Sequence, residues 1–342
     1  MLISDFDFDL PDELIAQHPL EKRDESRMLA LDRSGQSFSD SFFKDFPGFV
    51  NKDDCLIVNN TKVFPARLIG KREPSGGQVE LFLVREVETN VWEALARPAR
   101  RLKRGQRIFF GDESLKGEVI EELSEGHRVV RFYCEGSLSE KIDAFGQTPL
   151  PPYIKRKDSF LDEDRERYQT VYANRRGAIA APTAGLHFTR KILHEIKAKN
   201  VKIAEITLHV GYGTFEPVRV EDLSKHRVSS EQFEISAESA KTINETKGRK
   251  IAVGTTTTRA LESAADKDGI VKSGDGETTL TITPGYKFKA VDALVTNFHL
   301  PRSSLLVLIS AFAGRDFVLS AYRHAVSQRY RFYSYGDCMV II

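Results

Sequence analysis

AAPTAGLHFT, residues 180–189, sets a loop of small residues directly before a helical pattern. The run Ala178 to Ala181 leads into Pro182, and the spacing of Phe188, Ile192, Leu193 and Ile196 predicts a helix with one buried face that begins only after Gly185. Thr183, Ala184 and Gly185 then form a tight loop at its start, with His187 beside them. Small side chains let a ligand approach the backbone there, and the free N–H groups of a first helical turn suit an anion. An ordinary loop with proline at its bend is the competing reading, and the rest of the chain has to decide.

Downstream the design recurs. Residues 201–210 read as a strand with Ala204, Ile206, Leu208 and Val210 on one face and Glu205, Thr207 and His209 on the other. A polar row on such a strand points to a cleft or barrel interior with His209 at its mouth, or else to a hydrated edge. HVGYGTFEPV follows, and its Gly211 and Gly213 invite a dinucleotide-binding reading. That reading fails, because Pro217 and Val218 stand where the fingerprint requires a helix and the third glycine is missing. Two glycines that let the chain pass close to a ligand remain.

The next strand, 250–254, opens on TTTTRALESAA, a helix capped by a threonine, with Thr255, Thr256 and Arg259 as a second candidate anion site. Arg259 and Glu262, three apart, can pair on one side of that helix. ALVTNFHLPRSSLL repeats the pattern: a buried strand over 293–296, then Asn297, His299 and Pro301, then a helix near Ser303. Polar residues at several strand ends, each beside a helix start, describe one ligand crevice at the carboxyl edge of a sheet.

Nearer the N-terminus, Asp9 and Pro11 read as a helix start that must stop before Pro19. In the loop EKRDESR, Arg23 and Arg27 are candidates for a carboxylate or phosphate, or simply solvated charges. Strands are expected at 28–31 and at 55–58, the second running into Asn59 and Asn60, which either cap the next turn or point at a ligand. From 67 to 152 short alternating runs are separated by Gly, Asp, Asn and Ser turns. The expected architecture is therefore α/β: a discontinuous main domain, 1–66 and 153–342, barrel-like or layered, with an inserted small antiparallel β-barrel domain, 67–152.

A chain of 342 residues with 41% hydrophobic and 29% charged residues is expected to be globular, and a net charge of +1 excludes a polycation. Any nucleic-acid partner must be met by local patches. RPARRLKRGQR, with Arg97, Arg100, Arg101, Lys103, Arg104 and Arg107 and no acidic residue, is such a patch or else a solvated loop. Lys155, Arg156 and Lys157, or the C-terminal arginines, are the alternatives. Three scattered cysteines, with no CxxC, HExxH or Cys/His cluster, argue against structural zinc and iron–sulfur clusters, so no metal is expected. The acidic MLISDFDFDLPDE lacks the parts of a signal peptide, and the apolar stretch 305–313 is too short to span a bilayer, so a cytoplasmic protein is expected. No heptads argue for an obligate oligomer, leaving monomer as the default.

Six segments, NNTKVFPARL, AAPTAGLHFT, ITLHVGYGTFEPV, GTTTTRALES, LVTNFHLPRSSLL and YRFYSYGDCM, in this order and at these separations, closely resemble the S-adenosylmethionine:tRNA ribosyltransferase-isomerases of bacterial queuosine biosynthesis. The resemblance runs the length of the chain and is least distinctive in the inserted segment. It implies transfer and rearrangement of the ribosyl part of S-adenosylmethionine onto the aminomethyl group of 7-aminomethyl-7-deazaguanine at the wobble position of tRNA. The products would be epoxyqueuosine-tRNA, adenine and methionine, and the tRNAs would be those with GUN anticodons, for Asp, Asn, His and Tyr. S-adenosylmethionine would be a substrate, with no prosthetic group. The chemistry needs a base for the carbon beside the sulfonium, an acid for the departing adenine and a clamp for the methionine carboxylate. His187, His209 and His299 are the acid/base candidates; Arg259 with the helix start at 255–258 is the candidate clamp. Glu231 is a possible base, though a surface position is expected for it. An RNA methyltransferase using the same cofactor and a noncatalytic RNA-binding protein are the alternatives.

Overall fold

The computed structural model describes every residue except 156–161, 212 and 214–217, and of Asp162 the backbone alone. Most of GYGTFEPV, including Pro217, and the expected basic residues Arg156 and Lys157 thus lie outside the described residues.

The chain falls into two compact units, one of residues 1–62, 151–155 and 167–342, the other of 63–150 with 162–166. In chain order the strands are β1 (Arg27–Asp32), β2 (Ser37–Phe42), β3 (Cys55–Asn59) and β4 (Thr61–Val63), followed in the second unit by β5 (Arg67–Arg72), β6 (Gln78–Glu88), β7 (Val91–Arg97), β8 (Arg107–Phe110), β9 (Leu115–Glu122) and β10 (His127–Cys134). Helices α1 (Leu138–Phe145) and α2 (Asp162–Arg167) come next. The remaining elements are β11 (Arg175–Ala178), α3 (Arg190–Ala198), β12 (Lys202–Leu208), β13 (Glu231–Ile235), α4 (Ala237–Asn244), β14 (Lys250–Val253), α5 (Thr255–Ala264), β15 (Gly274–Thr278), β16 (Ala293–Asn297), α6 (Ser304–Ala313), α7 (Arg315–Ser327) and β17 (Cys338–Ile341).

The first unit is layered rather than barrel-like. Nine strands form one mixed sheet in the order β15-β13-β12-β3-β14-β16-β17-β1-β2. Its centre, β12-β3-β14-β16, is parallel, and β13 and β17 run antiparallel beside it. Alternate residues of the central strands, Leu56 and Val58, Ile251 and Val253, Ala293 and Val295, join Phe188, Ile192 and Ile196 on one face to make the core. Phe43 and Phe46, from a 3-10 turn, complete it with rings 5.3 Å apart and stacked. Helices α4 and α5 also pack on the sheet strands. β12 is not an edge strand: β3 and β13 flank it, and the apolar row Ala204, Ile206, Leu208 and Val210 is buried as its alternation requires.

The second unit is a closed six-stranded antiparallel barrel, β10-β7-β6-β5-β8-β9. Leu68, Leu81, Leu83, Ala94, Ile108, Phe110, Val119 and Val130, at most 1% exposed, form its interior, as the period-two pattern demands.

Three local expectations are corrected. The segment after Pro11 makes only a 3-10 turn, Asp12–Leu14; its backbone instead pairs with the C-terminal tail through Ala16 N to Phe332 O and Phe332 N to Leu14 O. The helix after AAPTAGLHFT begins at Arg190, capped by the Thr189 side chain on Ile192 N, while 183–187 is a separate 3-10 turn. Helix α5 is preceded by Gly254, not by a threonine cap. With φ of 95°, that position favours glycine, and Thr257 and Thr258 turn their hydroxyls back onto Val253 O and Gly254 O. Among the described residues no single helix is long and apolar enough to cross a membrane; α6 and α7 reach that length only as a pair bent by 116°.

At the amino edge of the sheet Asp54 ties β3 to β14. Its carboxylate accepts from Arg249 Nη2 at 2.7 Å, from Arg249 N at 2.8 Å and from Asn51 N at 2.9 Å. Burial would push this carboxyl up, but those bonds outweigh it and hold it below its usual value. A depressed carboxyl contributes stability above its unfolded pKa, and the contribution is lost as pH falls through the lower folded value. Asp54→Asn is expected to cost about 2–4 kcal/mol at pH 7 and to lose less stability than wild type on acidification below about pH 4. Urea melts of both proteins across that range check it; parallel pH curves would show the pair to be inert.

Candidate functional site

A crevice opens at the carboxyl ends of β12, β14 and β16, with about 610 Å3 of space, part of it open to solvent. Its floor is the small-residue run Ala180 to Ala184, including Thr183. One wall is the start of α5, Gly254, Thr255 and Thr256, and the other is Thr296 to His299, including Asn297. The first N–H groups of α5 lack intrahelical acceptors, and no side chain caps the helix. An open helix N-terminus therefore faces the crevice, a setting that favours an anionic group.

His299 is 5% exposed, with Nε2 2.9 Å from Thr296 Oγ1 and its backbone N–H on Tyr322 Oη. Burial lowers its pKa to about 3, so the ring is neutral at pH 7. His187 lines a smaller neighbouring cavity with Arg23, Ser26, Arg167 and Ser334. Its Nδ1 is 2.7 Å from Ser26 Oγ. Burial, opposed by the Asn297 amide and reinforced by Arg23 and Arg331, lowers it to about 4. Asn297 Nδ2 donates to Tyr333 O at 2.9 Å.

Several expected site residues do other work. His209 does not line the crevice. Its Nδ1 is 2.8 Å from Thr61 Oγ1, and burial with Arg175 lowers its pKa against the pull of Glu234. Asn59 bonds Thr61 N and both backbone groups of Leu208, and Asn60 joins Glu205 to Thr207 across the polar row of β12. Gly185 permits close packing, since a Cβ there would sit 2.1 Å from Tyr172 Oη. Gly211 donates to Glu231 at 3.3 Å, and neither it nor Gly213 lines the crevice. Arg27 lies over the Tyr330 ring at 3.7 Å and pairs with Asp40.

The expected pairing of Arg259 with Glu262 does not form. Arg259 Nη1 meets Glu231 at 2.5 Å, and Nε donates to Leu280 O. Glu262, 1% exposed, takes Tyr286 Oη and the N–H groups of Lys289 and Ala290 instead. Glu231 is 5% exposed, not a surface residue, and burial raises its pKa against Arg259. Arg259 is therefore already paired with Glu231 and lines a separate cavity rather than the crevice.

Sequence reasoning named no individual residue on the aromatic side of the crevice, Tyr153, Tyr168 and Tyr333, with Ser334 beside them. Tyr153 hydrogen-bonds Ser334, and its ring meets Tyr333 edge-on at 3.8 Å. Tyr333 stands at φ 76°, an uncommon conformation for an aromatic residue, held by its N–H on Phe298 O and by Asn297 and Gly336 on its carbonyl. YRFYSYGDCM carried the signal, but a sequence cannot show which of its aromatics are exposed. Tyr330, Phe332 and Tyr335 are buried; Tyr333 is only partly so.

On the barrel unit, Arg97, Arg100, Arg101, Lys103, Arg104 and Arg107 are all exposed, from the end of β7 through a 3-10 turn at Ala99–Arg101 to the start of β8. Lys103 pairs with Glu122 at 3.0 Å. Beneath the loop, Arg128 is 5% exposed and donates to Leu102 O, Ala99 O and His127 O at 2.6, 2.7 and 2.6 Å. Among the described residues no group of three His, Cys, Asp or Glu side chains is placed to hold a metal.

Comparison with known proteins agrees along the whole chain. A family profile described as "Queuosine biosynthesis protein" matches residues 3–341. The S-adenosylmethionine:tRNA ribosyltransferase-isomerase of Acetivibrio thermocellus is 52% identical over 344 residues, and that of Symbiobacterium thermophilum 50% over 345, each match covering 100% of both chains. A crystal structure of S-adenosylmethionine tRNA ribosyltransferase from Thermotoga maritima superposes with a TM-score of 0.56 at 35% identity, covering 99% of this chain and 100% of that one. The chain belongs to the queuosine biosynthesis protein family.

Proposed function

We propose that this protein is an S-adenosylmethionine:tRNA ribosyltransferase-isomerase that moves the ribosyl part of S-adenosylmethionine onto 7-aminomethyl-7-deazaguanine in tRNA, releasing adenine and methionine. The observation that carries the reading is a crevice that joins an uncapped helix start to an aromatic wall, in a chain matched end to end by enzymes of that name. The N–H groups of Thr255 and Thr256 take the methionine carboxylate, and the tyrosine faces suit the cationic sulfonium. His299, neutral and at the crevice wall, is the base or acid, while His187 orients Asn297. On this reading the enzyme works as a cytoplasmic monomer on tRNAs with GUN anticodons, without a prosthetic group. The basic loop of the barrel unit grips the RNA through phosphates.

Product analysis with aminomethyl-deazaguanine tRNA tests the reading: adenine and methionine are expected, whereas S-adenosylhomocysteine would mark a methyltransferase and no product a binding protein. His299→Ala is expected to lower the rate of adenine release at least about a hundredfold, with His209→Ala losing less than about tenfold. The reverse order would place the chemistry on the other side of β12. Full turnover is expected after exhaustive chelation; loss restored by one metal would contradict it.

Reversing Arg100, Arg101 and Arg104 to Glu should weaken tRNA binding and flatten its salt dependence by somewhat less than about one unit of slope per lost phosphate contact. Affinity for S-adenosylmethionine should hold. Filter binding between low and moderate salt measures this, and an unchanged tRNA affinity with the fold intact would falsify the footprint.

A further inference from the structure

A second cavity lies along the same side of α5, one turn beyond the crevice. Thr255 borders the crevice and Arg259 borders the cavity; four residues apart, they stand about 6 Å from one another on one helix face. Leu305 lines both spaces. The cavity offers about 380 Å3, part of it open to solvent, and its apolar walls include Leu223, Val228, Ile282 and Leu308.

Among the described residues its polar complement carries no free charge. Arg259 is cancelled by Glu231 at 2.5 Å and spends further donors on Leu280 O and Thr278 O. Besides Thr283 and Ser304 the lining offers His226 Nε2 and Thr281 Oγ1, both buried and both without a hydrogen-bond partner. Burial, aided by Arg227, keeps the His226 pKa below its ordinary value, so this ring is neutral at pH 7. A neutral imidazole and a hydroxyl can each donate or accept. Buried polar atoms left unpaired in an apolar setting call for a partner.

These properties select the ligand class. A carboxylate, phosphate or ammonium would find no unpaired charge of opposite sign among the described lining residues. A flat, neutral heteroaromatic ring with donors and acceptors along one edge would cover the aliphatic walls and satisfy both orphan atoms. We infer that this cavity receives the adenine ring of S-adenosylmethionine, with Thr281 and His226 hydrogen-bonding its edge while the amino-acid end lies at the start of α5. The inference rests on the reading of the crevice given above. One helical turn between the two spaces, with Leu305 common to both, fits a single small molecule with two unlike ends better than a base of the RNA.

Binding of free adenine to the full-length protein by calorimetry, together with steady-state rates of adenine release, tests this in Thr281→Val and His226→Phe. Each substitution removes one orphan polar atom and keeps a similar shape. Both should raise the Kd for adenine and the KM for S-adenosylmethionine about five- to thirtyfold. Inhibition by L-methionine and the KM for tRNA should stay within about twofold of wild type, a split that general loosening of the fold would not produce. Unchanged adenine affinity in both variants overturns the inference. A rise in the KM for tRNA with adenine affinity intact also overturns it, because a base of the RNA would then occupy the cavity. Should wild type release no adenine from S-adenosylmethionine with the modified tRNA, the reading of the crevice fails, and adenine calorimetry still decides the cavity by itself.

Discussion

The buried amide of Asn59 holds the sheet together at the edge where the candidate crevice lies. Backbone pairing of β3 with β12 ends at Ile206 and Asn59, with Asn60 N on Ile206 O as the last ladder bond. Beyond it the Asn59 side chain takes over: its oxygen accepts from Leu208 N at 3.0 Å and Thr61 N at 3.1 Å, and its nitrogen donates to Leu208 O at 2.9 Å. Three buried backbone groups thus depend on one side chain that is 0% exposed, and an apolar replacement would leave all three unpaired. The arrangement frees the chain to leave the sheet after β3, while the chain beyond the end of β12 at Leu208 continues to Val210, which lines the crevice.

The crevice gains its character from what is missing. Parallel strands ending together leave several helix and loop starts at one edge. Among the described residues those starts carry alanine, glycine and threonine rather than charged side chains, and backbone dipoles and aromatic faces contribute to the crevice. Both neighbouring histidines are held neutral by burial, His299 at about 3 and His187 at about 4. Arg259, the clamp a sequence reading recruits, is paired with Glu231 outside the crevice, while Arg23 lines the neighbouring cavity beside His187. A zwitterionic, sulfonium-bearing substrate suits such a site: a strong fixed cation would hold its carboxylate but repel its sulfonium, whereas an open helix start gives a partial positive charge of short range.

How much of this was legible depended on how local the cause was. The strands at 28–31, 55–58 and 293–296 and the barrel strands announced themselves, because alternation and apolar runs are properties of a few consecutive residues. The segments 180–184, 254–256 and 296–299 that line the candidate crevice were legible for the same reason, as small or polar residues at strand ends. The roles of Arg259, Asn59, Asn60 and His209 were not, since each is fixed by a partner from another segment: Glu231, Leu208, Glu205 and Thr61. Glu231 looked like a surface residue because its burial comes from β13 lying inside the sheet between β12 and β15, a placement no local pattern carries. The second cavity depends on His226 and Thr281, far apart in sequence and undistinguished by any motif.

The barrel unit shows how a buried charge can serve an exposed one. A solvated loop of six basic residues would have to be ordered when it meets an RNA backbone, and ordering rotamer-rich side chains on a mobile main chain costs binding free energy twice over. Arg128 removes the main-chain part. Its guanidinium, 5% exposed, is satisfied by the carbonyls of Ala99, Leu102 and His127, with Glu122 at 3.5 Å. A buried cation left without those acceptors would be strongly unfavourable, so the loop is held in the conformation that supplies them. Arg97, Arg100 and Arg101 consequently project from a backbone fixed during folding. Glu122 adds to this by pairing with Lys103 and accepting from Arg104 N, which anchors the far end of the same loop and leaves the neighbouring arginines as the ones turned to solvent.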